Sequence, residues 1–237
     1  MTKVETTSFS LTDDPHSAEY FKLDIAALLD LDHNMSKVLN VGCSGATAAL
    51  FKSLYPQVEV IGIADTPQKM AEVSAYISQC YCLDLDQDPL PFEDPESFDA
   101  FYFCHSLQQF VDPVFVLNRL LPYLKVGGKV WIVLPNVARW RKGLKGLQSK
   151  FESAGQGISS QVGRHFYTFQ TAPSYFLDAF PQLHLYVHRV TGLFPLPILR
   201  GTVLSEPVSK MMNRLGCRFF PNLVGMQILM AARKICP

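Results

Sequence analysis

The chain has 237 residues, of which 48% are hydrophobic and 18% are charged. This balance excludes disordered and fibrous proteins and predicts a single globular domain with a large core. Lysine and arginine together number 21, as do aspartate and glutamate, so the formal net charge is +0. We therefore expect no nucleic-acid partner, because such proteins normally carry a basic excess.

Neither a secretion signal nor a membrane-spanning segment is predicted. The N-terminal stretch MTKVETTSFSLTDD is polar, whereas a signal peptide needs an apolar core, and no run of about 18 apolar residues follows. The six cysteines show no paired CxxC spacing with histidines, so no metal site is predicted. These features predict a protein of the reducing cytoplasm with free thiols.

Apolar segments alternate with helical patterns along most of the chain. An amphipathic helix is predicted over 16–31. Strands with nearly continuous apolar character are predicted over 37–41, 58–63, 79–84, 98–103, 129–134, 183–190 and 225–234. Helices are predicted between them over 46–57, 67–77 and 112–125, the last ended by Gly127 and Gly128. Such alternation is typical of a parallel sheet that is covered on both faces.

Two segments interrupt this alternation. Residues 139–182 and 191–224 are irregular, and we interpret them as insertions that cover the substrate side of one domain spanning 1–237, with 1–35 as an N-terminal helical cap. The basic run over 139–150 allows an anionic acceptor. The apolar stretch over 193–204 allows contact with lipid or with a second copy of the chain in a homo-oligomer.

The stretch VLNVGCSGA (38–46) has the form of a strand that runs into a ligand-binding turn. Gly42 and Gly45 let the backbone approach a ligand closely, and Ser44 is small enough not to block it. In an open parallel sheet, ligands lie beyond the carboxyl ends of the strands. The loops that follow the first five predicted strands are therefore expected to face one crevice.

Taken together, the motifs resemble those of class I S-adenosylmethionine (SAM) dependent methyltransferases. VLNVGCSGA resembles the first motif of that family, IGIADTPQKM the second, and DLDQDPLPFEDPESFDAFYFCHSLQQFVDP the third and fourth. LPNVARW, RHFYTF and PNLVGMQILMAARK are similar to segments of branches that methylate sugars or other small metabolites. The resemblance implies an α/β, Rossmann-like doubly wound fold, with a seven-stranded, mostly parallel sheet, helices on both faces and an antiparallel C-terminal strand.

The resemblance also implies SAM as the cofactor. The residues it places around SAM are Tyr20, Asn40, Gly42, Cys43, Ser44, Gly45, Ala64, Asp65, Asp84, Leu85, Phe103 and Cys104. Either Asp84 or Asp86 would hold the adenine. The family usually has acids at the positions of Asn40 and Ala64, and Asp65 lies one residue late. A lost charge-assisted hydrogen bond costs about 1.5 to 3 kcal/mol, or roughly ten- to a hundredfold in affinity.

Two histidines are the candidates for acting on the acceptor. His105 follows the fourth predicted strand, and His165 belongs to the RHFYTF segment. A hydroxyl acceptor gains from a base near neutral pH, a role that suits histidine. The alternative for each is a histidine that hydrogen-bonds to the backbone. We interpret Cys104 as a wall residue and assign His184 and His188 to a solvent-facing side of a strand.

The predicted activity is methyl transfer to a small, hydroxyl-bearing acceptor. Asn136, after the fifth predicted strand, is expected near that acceptor with the two histidines. The loop FCHS (103–106) differs from the Asn-Pro-Pro-aromatic turn of enzymes that methylate amino groups of DNA bases. The first alternative is a SAM-binding or partner-binding protein of the same fold without catalysis. An NAD-dependent enzyme is the weaker alternative, because the GxGxxG spacing is absent.

Overall fold

The structure is a computed structural model that describes residues 35–42, 45–136, 165, 167–191, 215–225 and 227–237. Several predictions fall outside these residues: the helix over 16–31 and nearly all of the 1–35 cap, the basic run over 139–150, and the apolar stretch over 193–204. Three predicted cofactor residues, Tyr20, Cys43 and Ser44, also lie outside them. Within the described ranges, the structure has no helix both long and apolar enough to span a bilayer.

Seven strands and five α-helices have defined bounds, and residues 215–219 are also helical. The strands are β1 (Lys37–Val41), β2 (Glu59–Ala64), β3 (Gln79–Cys82), β4 (Phe98–Cys104), β5 (Leu124–Pro135), β6 (Leu183–Thr191) and β7 (Gln227–Lys234). The α-helices are α1 (Gly45–Leu54), α2 (Pro67–Val73), α3 (Pro113–Leu120), α4 (Thr171–Ala179) and α5 (Pro221–Val224). Two short 3-10 helices span Leu107–Gln109 and Leu121–Tyr123.

All seven strands form one sheet in the order β3-β2-β1-β4-β5-β7-β6. The pairs from β3 to β5 are parallel, and β7 runs antiparallel to both of its neighbours. The predicted fold class is therefore confirmed. The chain order reverses between β1 and β4, and this reversal opens a crevice at the carboxyl ends of those strands.

The helices cover both faces of the sheet. Residues of α3 and α4, including Val116 and Phe176, pack in the cluster that also contains Leu39 of β1. On the opposite face, Phe51 of α1 packs in the cluster that contains Val38. Because side chains alternate along a strand, Asn40 shares the face of Val38.

The predicted helix over 112–125 is too long. Asp112 caps α3 through hydrogen bonds from the amides of Val114 and Phe115, but the α-helix ends at Leu120 and a 3-10 helix follows. Strand β5 already begins at Leu124, so Gly127 and Gly128 lie inside it rather than at a helix end. Gly127 has a φ of +82°, and the register between β4 and β5 shifts in this region.

His188 does not face solvent as predicted. A register shift between Leu185 and Val187 inserts one extra residue into β6, and such a bulge reverses which face the following side chains occupy. His184 before the bulge is exposed. His188 after it stacks on Phe169, with the ring centroids 3.9 Å apart, and burial lowers the pKa of its imidazole.

A closed polar network joins the amino ends of three strands. One carboxylate oxygen of Asp99 in β4 accepts hydrogen bonds from the backbone and hydroxyl of Ser36 and from the backbone of Lys37, at 2.8 to 2.9 Å. The other accepts from Nζ of Lys125 in β5. Partial burial acts to raise the pKa of Asp99, but hydrogen bonds from Lys125, Ser36 and Lys37 outweigh it and lower the pKa to about 2.

Candidate functional site

The turn after β1 places the backbone at the β1–β4 crevice. Gly42 has a φ of +72°, a conformation that residues with a Cβ rarely adopt, and its amide donates to the carbonyl of Ile63 at 2.9 Å. A Cβ at this position would lie 2.5 Å from Cβ of Ser106. Glycine is therefore required at position 42 both by the backbone conformation and by the contact with the loop that follows β4.

Asn40 carries polar atoms without partners next to this turn. Its side chain is 0% exposed, and neither its amide nitrogen nor its amide oxygen has a hydrogen-bond partner among the described residues. Burying such groups unpaired costs about 1 to 3 kcal/mol each. Ser106 is 4% exposed, and its hydroxyl also lacks a partner within the described ranges. The floor of the crevice therefore offers hydrogen-bonding groups that the described protein leaves unsatisfied.

The end of β2 presents an acid that is already paired. Ala64 is 0% exposed and packs with Ala48 and Val73, so its side chain is not available to a ligand. Asp65 is exposed, and its carboxylate lies 2.7 Å from Nζ of Lys69, four residues later. A ligand that used Asp65 would therefore compete with Lys69.

The two candidate aspartates in the loop after β3 differ in their contacts. The carboxylate of Asp84 accepts from the backbone of Asp86 at 2.9 Å and from Nε2 of Gln87 at 3.1 Å, which closes the turn on itself. The carboxylate of Asp86 accepts from the backbone of Val111 at 2.9 Å. Asp86 thus ties this loop to the loop that follows β4, whereas Asp84 is exposed.

The other predicted residues at the ends of β3 and β4 are largely buried. Leu85 and Phe103 both belong to the main core cluster and are at most 2% exposed. Burial raises the pKa of the Cys104 thiol to about 11, although a hydrogen bond with Tyr102 acts to lower it. Cys104 is thus protonated at neutral pH, as expected for a wall residue and not for a nucleophile.

His105 occupies a constrained turn immediately after β4. Its φ is +53°, a value uncommon for residues other than glycine. Its amide donates to the carbonyl of Val133 in β5 at 2.9 Å. Burial lowers the pKa of its imidazole from 6.5 to about 4, so the ring is neutral at pH 7.

His165 packs against the same loop. Its amide donates to the carbonyl of Gln108 at 3.2 Å, and its ring Nε2 lies 3.0 Å from the carbonyl of Val111. Because a carbonyl oxygen only accepts, Nε2 carries the proton and the neutral ring keeps its lone pair on Nδ1. His165 is therefore joined to the loop after β4 by two hydrogen bonds.

Two glutamines and one asparagine also make hydrogen bonds at this end of the sheet. Gln108 is 0% exposed and donates to the carbonyl of His105 at 2.8 Å. Nε2 of Gln227 at the start of β7 lies 3.1 Å from Nε2 of His105. Asn136 is also 0% exposed and donates to the carbonyls of Pro221 and Gly225, both at 3.0 Å.

Sequence reasoning missed Gln108 and Gln227. Gln108 lies in the loop that follows the fourth predicted strand, five residues after its end at 103, and such loops in parallel sheets are expected to face the crevice, so its place in the chain was a usable signal. Gln227 lies at the start of an antiparallel strand, 122 residues from His105. Its position in the sheet depends on the strand order, which local periodicity does not encode.

Comparison with known proteins identifies relatives of this chain. The family described as "Methionine biosynthesis protein MetW" matches residues 22–155. A trans-aconitate 2-methyltransferase from Enterobacter sp. (strain 638) is 25% identical over 114 residues, a match that covers 48% of this chain and 44% of the relative. The matched region thus spans less than half of that relative.

Solved structures share the fold over nearly the full length. A SAM-dependent methyltransferase from Archaeoglobus fulgidus superposes with a TM-score of 0.57 at 15% identity, covering 92% of this chain and 94% of that chain. A chain from a Haloferax volcanii complex that contains the Trm112 methyltransferase activator gives a TM-score of 0.61 at 13% identity, covering 93% and 92%. The fold is therefore that of class I methyltransferases.

Proposed function

The chain belongs to the MetW family, and from this premise we propose that it is a SAM-dependent methyltransferase that acts on a small, hydroxyl-bearing acceptor. The Archaeoglobus fulgidus protein, which shares the fold, is described as SAM-dependent. The proposal extends to a cytoplasmic protein without a nucleic-acid substrate, in keeping with the net charge of +0 and with cysteines that form no disulfide in the described ranges.

The unpaired amide of Asn40 is the observation that carries this proposal. SAM has both an ammonium and a carboxylate on its methionine portion, and an amide can accept from the first and donate to the second. Asn40 is fully buried with both polar atoms unpaired, at the strand end where the family resemblance places the cofactor. Ligand binding would satisfy groups whose burial otherwise costs stability.

Methyl transfer needs alignment and exclusion of water more than it needs many catalytic groups. SAM, when bound, supplies an activated methyl group. Gly42 allows close backbone approach, and Asn40 orients the amino acid end. Of the two candidate histidines, His165 keeps a lone pair on Nδ1 when neutral, so we assign it the role of accepting the proton from the hydroxyl of the acceptor. His105 contacts the acceptor beside it. Cys104 forms part of the wall.

A small carboxylate is the acceptor class that the relative suggests. The Enterobacter protein is named for trans-aconitate, which is a small carboxylate. The basic run over 139–150 contains five lysines and arginines, and guanidinium groups bind carboxylates through paired hydrogen bonds. We therefore extend the proposal to an acceptor that carries both a hydroxyl and an anionic group.

A binding protein without catalysis is the second candidate. Asp65, the acid nearest to the ribose position implied by the resemblance, is paired with Lys69 at 2.7 Å, and Ala64 is buried. Both features lower the expected affinity for SAM. The Haloferax volcanii structure with an activator protein supports partner binding as a use of this fold.

Calorimetric titration with SAM and with S-adenosylhomocysteine tests the proposal. Binding of both, together with methyl transfer from labelled SAM in a screen of hydroxylated carboxylates, is the expected result. An Asn40→Leu variant is the negative control for binding, and Gln182→Ala, at a position remote from the crevice, is the matched positive control. The absence of heat with either ligand at millimolar concentration would rule out the enzyme and favour the second candidate.

A further inference from the structure

The backbone of His105 is held from two directions. Its amide donates to Val133 of β5 at 2.9 Å. Its carbonyl accepts from the side-chain amides of both Gln108 and Gln109, each at 2.8 Å. The hydrogen bonds from these two glutamines offset the energetic cost of the uncommon φ of +53°. The turn therefore fixes the direction in which the imidazole leaves the backbone.

The imidazole itself is held from β7. Nε2 of Gln227 lies 3.1 Å from Nε2 of His105, and an amide nitrogen only donates. The ring nitrogen must accept this hydrogen bond, so the imidazole is neutral and carries its proton on Nδ1. Gln227 reaches this position because antiparallel β7 starts at the edge where β5 ends, with Gln227 paired to Pro135.

We propose that Gln227 is a positioning residue that fixes the Nδ1-protonated tautomer of His105 and occupies the lone pair on Nε2, so that this ring does not serve as the base in the proposed reaction. The absence of a base role rests on the proposed function, whereas the tautomer does not. His165 has the opposite arrangement, because its Nε2 donates to Val111. The two neutral rings thus carry their protons on different nitrogens.

The surroundings of His105 favour an uncharged ring. Its described hydrogen-bond partners from β5, from the 3-10 helix and from β7 are Val133, Gln108, Gln109 and Gln227, none of which titrates. The adjacent titratable group is Cys104, whose pKa burial raises to about 11, so it stays neutral. These four partners and the Cys104 thiol are all uncharged at pH 7.

Two-bond ¹H–¹⁵N correlation spectra of the full chain test the tautomer without any assay of activity. The His105 resonances are assigned by their loss in His105→Ala. We expect Nδ1 to be protonated at pH 7 and the ring to titrate near pH 4. Gln227→Glu places a carboxylate at the same distance and should raise the midpoint by about one unit or more, because an opposite charge favours imidazolium. Gln227→Leu should give a mixture of tautomers.

Gln109→Ala is the matched control, since Gln109 contacts the backbone of His105 and not its ring. It should leave both tautomer and midpoint unchanged, while circular dichroism confirms that every variant is folded. A proton on Nε2 in the wild type, or an unchanged midpoint in Gln227→Glu, would overturn the proposal. If SAM does not bind, the proposed function fails, yet the tautomer of His105 can still be measured, so the two failures are distinguishable.

Discussion

The two ends of strands β1 and β4 use buried polar groups in opposite ways. At the amino ends, the partly buried carboxylate of Asp99 accepts hydrogen bonds from Ser36, Lys37 and Lys125. At the carboxyl ends, Asn40 and Ser106 are buried with unpaired side-chain atoms. Satisfied polar groups stabilise a fold, whereas unsatisfied ones cost stability and are retained where a ligand completes them. The polar groups at one end of these strands are satisfied within the protein, whereas those at the other end are left for the proposed ligand.

Removing the closed network should have the largest effect on stability. We expect Asp99→Ala to lower the free energy of unfolding by about 3 kcal/mol, because four donor groups of three residues lose a shared carboxylate. Urea denaturation measures the change. The affinity of the folded protein for SAM should stay within twofold, and a large loss of affinity would show that the two ends are not independent.

The contribution of Asp99 should also depend on pH. Its pKa is lowered from 3.8 to about 2 in the folded protein, so its stabilising effect is complete above about pH 4 and is lost as the pH falls through 2. The stability difference between the wild type and Asp99→Asn should therefore narrow over this range. A stability difference that does not change with pH would indicate that the negative charge of Asp99 does not contribute to stability.

His105 should make the carboxyl end sensitive to a different pH range. The unfolded chain protonates this histidine near pH 6.5 and the folded chain only near pH 4, so acid favours the unfolded chain between these values. After allowance for solvent screening, we expect a loss of about 2 kcal/mol from pH 7 to pH 4. His105→Asn, which tolerates a positive φ, should lose less. Denaturation at several pH values compares the two proteins.

Asn40 should show a trade-off between stability and binding. Asn40→Leu removes two unpaired buried atoms, so we expect the free protein to gain about 1 kcal/mol of stability. The same change should weaken SAM binding by roughly tenfold. Thermal denaturation and calorimetry measure both quantities on one sample. If Asn40→Leu lost stability and kept its affinity for SAM, Asn40 would act like Asp99, as a group that stabilises the fold.

The exposed pair of Asp65 and Lys69 should have the smallest effect on stability. Both side chains are at least 40% exposed, and such pairs contribute about 0.2 to 1 kcal/mol. Lys69→Met should therefore change the unfolding free energy by less than about 0.5 kcal/mol. If Asp65 binds the ribose, the same substitution should tighten SAM binding about twofold, which titration calorimetry detects. Lys52→Met on α1 is the matched control.

Much of the architecture was predictable from local patterns in the sequence. Apolar runs marked all seven strands, as expected for a sheet that helices cover on both faces, and a glycine turn after β1 indicated the ligand crevice. The ends of elements were less predictable. The helix predicted over 112–125 ended at Leu120, because the residues that follow fit both a helical pattern and the start of β5, and only pairing with β4 decides between them.

The sequence by itself determined which segments are strands and helices, since side-chain periodicity follows from backbone geometry. Only the tertiary structure decided which distant groups meet. The bulge in β6 turned His188 inward, and the insertion of β7 beside β5 brought Gln227 to His105 across 122 residues of chain. Asn40 was identified from the sequence as a departure from the family pattern. Its lack of partners depends on packing by neighbours far along the chain, which no local pattern records.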